Sequence, residues 1–327
     1  MPDVLITENI LGAEMDALRH TFDCTFAPEL WQQPETLQTV IGDYRALIAR
    51  NQTQLTRALM AAGTNLQIIG RAGVGMDNVD LAAANEYGIV VALTPEQNTN
   101  SVAELVIGLL LALSRQLSLA DRDTKAGRWD RPRFMGTEIS GKTLGIVGFG
   151  RIGSTTAAKA YALGMTTIAY DPYVEADCLR ALASRTRLTT LEEVLATADY
   201  VTLHIPENEE TRGMFGAHEF AQMKPSAYFI NSSRGGVVQE EALIQALQQQ
   251  RLAGAALEVR QQEPAASSAF DTMDNVIQLP HIGAQTREAQ HRVVTAICRD
   301  VAAVLCGGEA RNFANFSKPR RGIRNFS

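Results

Sequence analysis

Long hydrophobic runs, paired cysteines and a strong charge excess are all missing from this chain of 327 residues. The longest oily stretch, Val102 to Leu113, covers 12 residues and contains Glu104. A bilayer span needs about 20 apolar residues, so no transmembrane helix is expected. The opening residues, MPDVLITENI, lack a basic segment followed by an apolar core, so no export signal is expected either. The four cysteines, Cys24, Cys178, Cys298 and Cys306, make no CxxC pair, and no Cys/His spacing suits zinc. Free thiols in a reducing, cytoplasmic compartment and no metal are the expectation. The formal net charge of −6 argues against a general nucleic-acid binder but leaves room for a local basic pocket. Fixed-period repeats, low-complexity tracts and heptads are absent.

What is present is an ordinary globular composition, 46% hydrophobic and 20% charged, long enough for about two domains. Short β-branched runs alternate with helical stretches, the pattern of parallel α/β architecture. The first series of strand candidates is Val4–Thr7, Ala46–Ala49, Leu66–Ile69 and Ile89–Ala92. The second is Thr143–Val147, Thr166–Tyr170, Tyr200–His204, Ala227–Asn231, Ala253–Val259 and Val276–Leu279. Between them, Ser101 to Arg115 reads as a helix, with Ser101 as N-cap and Glu104 in the capping-box position. A long helix, roughly Arg287 to Leu305, follows the last strand and can return the chain to the first domain. The expectation is two parallel-sheet α/β domains of Rossmann-like or flavodoxin-like type. One is discontinuous and substrate-binding, residues 1–100 plus 290–327. The other, residues 101–289, is a dinucleotide-binding domain. The basic tail KPRRGIRNFS reads as a frayed or draped end.

Gly148, Gly150 and Gly153 form GxGxxG, directly after an apolar strand and before a helix expected over Ser154 to Leu163. The first glycine permits a tight turn, the second lets the backbone approach a pyrophosphate, and the third lets helix pack on strand. The helix N-terminus adds free N–H groups and positive dipole. Alone, the motif also occurs in structural turns. Its context is more telling. The next strand ends at Asp171, 18 residues past Gly153, where a carboxylate accepts bonds from ribose hydroxyls and repels a 2′-phosphate. NAD is therefore favoured over NADP. A turn aspartate before proline is the bland reading.

Three polar signals lie at the ends of later strands, where open α/β sheets bind ligands: Arg234 within NSSRGG, Glu263, and His281 within LPHIGA. Oxidation of a hydroxy acid needs a base for the hydroxyl proton, and the reverse needs an acid; histidine serves both. A carboxylate beside it favours the protonated ring. An arginine grips a substrate carboxylate and polarises the C2 oxygen. Singly, each has a structural reading: a surface turn, a solvated loop, a core histidine. Of the other histidines, His204 ends a strand near the expected cofactor site, while His20, His218 and His291 read as surface residues.

On these residues the chain resembles the D-2-hydroxyacid dehydrogenase family. The carriers are GRAGVGMDNVD, SVAELVIGLLLALSR, GKTLGIVGFGRIG, VTLHIP, NSSRGGVV, GAALEV and LPHIGAQTREAQ. The 3-phosphoglycerate dehydrogenase branch is the nearest in look. The resemblance implies Arg234, Glu263 and His281 as the catalytic group. It implies Val74, Gly75 and Asn98 at the substrate. Ser101, Arg151, Ile152, His204, Pro206, Thr211, Ser232, Ser233, Glu258 and Gly283 join the glycines, Asp171 and His281 around NAD. It also implies Arg50 and Arg71 at a phosphate on the substrate, Arg131 or Arg133 reaching across from a partner subunit, and a homodimer or tetramer. Read without the resemblance, Arg50 and Arg71 are strand-end surface charges.

Two departures stand out. The family has Asp where this chain has Glu258, and an aromatic where it has Arg260. As i and i+2 of a strand these share a face, so a Glu258–Arg260 pair beside the nicotinamide is expected, with altered cofactor contact or substrate choice. The chain also ends soon after the returning helix, so no serine-sensing regulatory domain is expected. The expected substrate is a three-carbon acid with a second anionic group, such as phosphoglycerate or sulfolactate. A glyoxylate or hydroxypyruvate reductase and an NADH-sensing corepressor are the alternatives.

Overall fold

The structure, a computed structural model, describes residues 2–175 and 178–320. It divides into two compact units, Met1–Asn98 with Thr286–Ser327, and Thr99–Gln285.

In the first unit, β1 (Val4–Ile6), β2 (Cys24–Phe26), β3 (Ala46–Ala49), β4 (Ile68–Arg71) and β5 (Val90–Ala92) form a parallel sheet in the order β2-β1-β3-β4-β5. This is the flavodoxin-like order. Successive strand residues enter opposite cores. Val4, Ile6, Ala46, Ile48, Val90 and Ala92 pack on one side, and Leu5, Leu47, Ala49 and Val91 on the other. Burial on both faces is why these runs are continuously apolar. The helix Arg287–Leu305, capped by Thr286, lays Val293, Ile297 and Val301 on the first side. A Cβ at Gly70 would stand 2.8 Å from Ile297 Cγ2, so that glycine lets helix and sheet meet.

In the second unit, β6 (Thr143–Val147), β7 (Thr166–Tyr170), β8 (Arg187–Leu188), β9 (Tyr200–Leu203), β10 (Tyr228–Asn231), β11 (Gly254–Leu257) and β12 (Val276–Gln278) run parallel in the order β12-β11-β10-β9-β6-β7-β8. The order reverses at β6, the switch point where such sheets take ligands.

Several sequence expectations need correction. Strands β2 and β8 were not anticipated; they are short, sit at sheet edges and carry little apolar signal. The helix expected from Ser101 starts at Thr99, so Ser101 lies buried in its first turn and is not its cap. Glu104 accepts from Asn100 Nδ2 and Lys159 Nζ instead. The oily stretch in this helix packs on the second sheet through Val106, Leu109, Leu110 and Leu113. Among the described residues no single helix is long and apolar enough to cross a membrane. Of the basic tail, Lys318 pairs with Glu309 and Arg320 stacks on Phe316; residues 321–327 lie outside the described residues.

Candidate active site

The glycine loop leaves β6 at its carboxyl end. Gly148 has φ of +93°, and a Cβ there would stand 2.6 Å from the His204 carbonyl oxygen. A Cβ on Gly153 would lie 2.1 Å from the Gly148 oxygen. Gly150 is different: nothing stands within 4 Å of the place its Cβ would take. Two glycines are thus demanded by backbone and packing, while the middle one keeps space open. The helix begins at Arg151, three residues earlier than expected, and runs to Ala162. Arg151, Ile152 and Gly153 are therefore its first turn, whose amides lack intrahelical acceptors. Open space over Gly150 and those amides fit a dinucleotide's pyrophosphate.

Asp171 directly follows β7 and turns its carboxylate onto this loop. Its Oδ2 accepts from Phe149 N at 2.8 Å and its Oδ1 from Tyr173 N at 3.0 Å. The bland reading, a turn aspartate, is thus also true locally. The exposed Tyr173 hydroxyl donates to Glu210 beyond β9 at 2.6 Å, a link that no sequence signal suggested. His204 keeps its ring inside: Nε2 lies 3.2 Å from Thr202 Oγ1, and the buried Nδ1 has no hydrogen-bond partner among the described residues. Burial pushes its pKa down to about 3, so the ring is neutral. Thr211 closes its own turn, donating to the Pro206 carbonyl at 2.7 Å.

After β10, the Asn231 side chain staples the turn carrying Arg234. Its Oδ1 accepts from Ser233 N and Oγ, and its Nδ2 donates to the Arg234 carbonyl at 2.9 Å. Ser232 and Ser233 are buried beneath this turn. His281 follows β12 in the left-handed region, φ 55°. Its Nδ1 stands 2.8 Å from Glu263 Oε2. That bond raises the proton affinity of the ring against its burial, and Glu258 adds to the rise. Glu263 is held below the usual carboxylate range: burial works against it, but His281 and the Arg260 amide outweigh burial. Arg234 acts on both charges from nearby. Within this unit, then, the structure brings Arg234, Glu263 and His281 together, and the Glu263 contact occupies only the Nδ1 side of the His281 ring.

The expected Glu258–Arg260 pair does not form. The strand ends at Leu257, so the i, i+2 rule no longer governs residues 258–260. Glu258 turns back to accept from Gly283 N at 2.7 Å, and its carbonyl accepts from His281 N at 3.0 Å. It thereby clasps the His281–Gly283 turn at both ends. Burial pushes its carboxyl above the ordinary range. Arg260 instead forks onto Glu240, Nε to Oε1 at 3.0 Å and Nη2 to Oε2 at 2.9 Å. Arg133, expected to serve a partner subunit, is tied to Asp123 and Asp274 of its own unit.

In the first unit, Arg50 and Arg71 lie at the carboxyl ends of β3 and β4. Neither is a surface charge: Arg71 is 8% exposed and Arg50 is half-buried. Gly73 makes room for Arg71, since a Cβ there would stand 1.7 Å from its Nη1. Val74 and Gly75 follow in the same half-buried loop. Asn98 keeps a buried Oδ1 without a hydrogen-bond partner among the described residues. Buried, unpaired polar atoms are uncommon in finished cores and frequent at ligand sites.

Comparison with known proteins completes the description. Residues 107–283 match the model of the D-isomer specific 2-hydroxyacid dehydrogenase NAD binding domain. The chain is 40% identical over 315 residues to a D-3-phosphoglycerate dehydrogenase of Synechocystis sp., covering 96% of this chain and 56% of that protein. It is 42% identical over 313 residues to a D-3-phosphoglycerate dehydrogenase of Archaeoglobus fulgidus, covering 95% of this chain and 59% of that protein. The chain thus spans somewhat over half the length of these curated relatives. The crystal structure of the TT0316 protein from Thermus thermophilus matches at a TM-score of 0.89 and 31% identity, over 95% of this chain and 99% of that one.

Proposed function

The chain belongs to the D-isomer specific 2-hydroxyacid dehydrogenase family, and from that premise we propose that it moves a hydride between C2 of a small D-2-hydroxy acid and NAD. The observation that carries this reading is the His281–Glu263 contact of 2.8 Å beside Arg234, in the same unit as a glycine loop fit for a dinucleotide. When bound, NAD supplies the hydride acceptor or donor. The chain's own residues do the rest. The amides from Arg151 to Gly153 hold the pyrophosphate. Asp171 takes the ribose hydroxyls and disfavours a 2′-phosphate. Ser101, His204, Pro206, Thr211, Ser232, Ser233, Glu258 and Gly283 supply the remaining contacts.

In oxidation, His281 Nε2 accepts the C2 hydroxyl proton, and Glu263 steadies the resulting imidazolium through Nδ1. In reduction the protonated ring returns that proton. Arg234 grips the substrate carboxylate. The amides of Val74 and Gly75 and the side chain of Asn98 are the first unit's own substrate contacts. General acid–base catalysis of this kind contributes about 10²–10⁴-fold.

Two inward arginines, Arg50 and Arg71, favour a substrate with a second anionic group. The names of the curated relatives point the same way, toward 3-phosphoglycerate, with sulfolactate as an isosteric candidate. A cytoplasmic homodimer or tetramer completes the proposal. The test is a panel of 2-hydroxy acids with NAD. One anion-substituted acid should turn over far above the rest, and Arg50→Ala should remove that preference. His281→Ala should abolish turnover and spare NADH binding. Turnover of glyoxylate or hydroxypyruvate alone would replace the anion reading. Tight NADH binding without any turnover would replace the enzyme reading.

A further inference from the structure

Glu8 is a carboxylate 3% exposed, just beyond the carboxyl end of β1. It has no place in the catalytic group, yet it meets the residue most needed for an anionic substrate. Its Oε1 accepts from Arg50 N at 2.8 Å, Thr53 N at 3.0 Å and Thr53 Oγ1 at 2.8 Å. Its Oε2 accepts from Gln52 N at 3.3 Å. From the other side, Asn78 Nδ2 donates to the carbonyls of Arg50 and Thr53 at 2.8 and 2.7 Å. The turn 50–53 is therefore held by its N–H groups through Glu8 and by its carbonyls through Asn78.

We propose that Glu8 and Asn78 are positioning residues for Arg50, and that they set the affinity for the second anionic group of the substrate. This inference rests on the reading of Arg50 given above. The geometry separates backbone from side chain. Glu8 spends its charge on the amides beneath Arg50 and not on the guanidinium. Among the described residues, the hydrogen-bond partner of that guanidinium is the neutral amide oxygen of Gln290, and its Nε has none. Burial works against the charge of Arg50, and the nearby carboxylate of Glu8 supports it. A direct Glu8–Arg50 ion pair would neutralise the cation internally. A carboxylate tied to backbone amides keeps the cation charged, fixed in place and open to an external anion. Charge-assisted hydrogen bonds to such an anion depend on placement as well as charge.

The experiment uses the full chain with NAD and compares 3-phosphoglycerate with D-glycerate, which lacks the phosphate. In Glu8→Gln the KM for 3-phosphoglycerate should rise about tenfold or more, the scale of one charge-assisted hydrogen bond. Its kcat, and the KM for D-glycerate, should stay within about twofold. Glu8→Asp keeps the charge but shortens the reach, and should raise the KM by less than Glu8→Gln does. Stabilisation of the melting temperature by inorganic phosphate should weaken in the same order, which gives a readout apart from turnover. A purely structural role would move both acids together or lower only the melting temperature, and either result overturns the inference. If Glu8→Gln does not fold, Asn78→Ser carries the same comparison with the same two outcomes. Arg50→Ala is the control. If it leaves the KM for 3-phosphoglycerate unchanged, the reading of Arg50 has failed; if it raises that KM and the Glu8 and Asn78 variants do not, only this inference has failed.

Discussion

Arg260 was expected beside the nicotinamide, and the structure puts it inside a buried charge pair. Consider Arg260→Met. The Arg260 side chain is 8% exposed and that of Glu240 is 19% exposed. The substitution removes the fork onto Glu240, a bond of 2.5 Å to Gln278 Oε1, a bond of 3.2 Å to Ser268 Oγ, and the stacking 4.8 Å over Phe270. Methionine replaces most of the apolar packing, so lost volume is not the main effect. The uncompensated charge of Glu240 is. Burial works against that charge; Arg260 and the Gln261 amide outweigh burial and hold the carboxyl below its usual range. Removing one member of a buried pair costs about 3–5 kcal/mol. The residual exposure of Glu240 and its 2.7 Å bond from Gln261 N put the expectation near the lower end, about 3 kcal/mol. In a unit of this size each kcal/mol moves Tm by about 2–4 °C, so the drop should be about 6–12 °C by calorimetry. The sign with pH follows from the depressed carboxyl. The wild-type advantage is present above the ordinary value of 4.5 and is lost as pH falls below it through the folded value. A double variant, Arg260→Met with Glu240→Leu, should recover much of the loss, since an apolar pair replaces a buried ionic one. A Tm change under about 2 °C in the single variant, or no recovery in the double, would refute the reasoning. Activity should fall too. Arg260 N donates to Glu263 Oε1 at 3.2 Å, and its carbonyl oxygen stands 1.9 Å from where a Gly235 Cβ would be. This residue therefore buttresses the Glu263 loop and the Arg234 turn together.

The glycine loop offers a paired test. Gly153→Ala drives a methyl toward the Gly148 oxygen and should destabilise the second unit, whereas Gly150→Ala meets open space and should leave Tm nearly unchanged while weakening NADH binding; equal effects in titration calorimetry would sink the assignment. Glu263→Gln removes the main cause of the raised proton affinity of His281. Reduction of a 2-oxo acid needs the protonated ring and declines as pH rises through that raised value, so the declining limb of kcat/KM should move to lower pH in the variant. The rising limb of the oxidation reaction should move the same way, and unmoved limbs in both directions would contradict the role of Glu263. Glu258→Asp should release Gly283 N from its 2.7 Å bond and loosen the His281 turn, seen as altered NADH affinity or substrate preference; unchanged values for both would remove Glu258 from the site.

Much of the site was legible because its signals are local. Positive φ at Gly148 and tight packing at Gly153 are demands of a single loop, and a loop writes them into adjacent residues. Strands buried on both faces need unbroken apolar runs, so β1, β3, β6 and β9 announced themselves. Edge strands β2 and β8 did not, because a strand with one neighbour and a partly wet face carries no such constraint.

Charge pairing is where sequence reasoning stopped. It placed Arg234, Glu263 and His281 after successive strands, and parallel topology then brings strand ends to one side of the sheet. The partner of Arg260 is another matter. An arginine reaches several carboxylates, and which one it meets depends on where the strand ends and which helix lies beside it. Ending β11 at Leu257 turned Glu258 toward Gly283 and Arg260 toward Glu240, 20 residues away along the chain. Glu8 was silent for the same reason: the groups that donate to it lie 42 to 45 residues further on. By itself, then, the sequence determined the parallel α/β class and singled out the glycine loop and His281 as candidates, since each rests on local backbone geometry or on residue chemistry. Only the tertiary structure decided which buried charges neutralise one another, because that depends on distances between segments that no local pattern records.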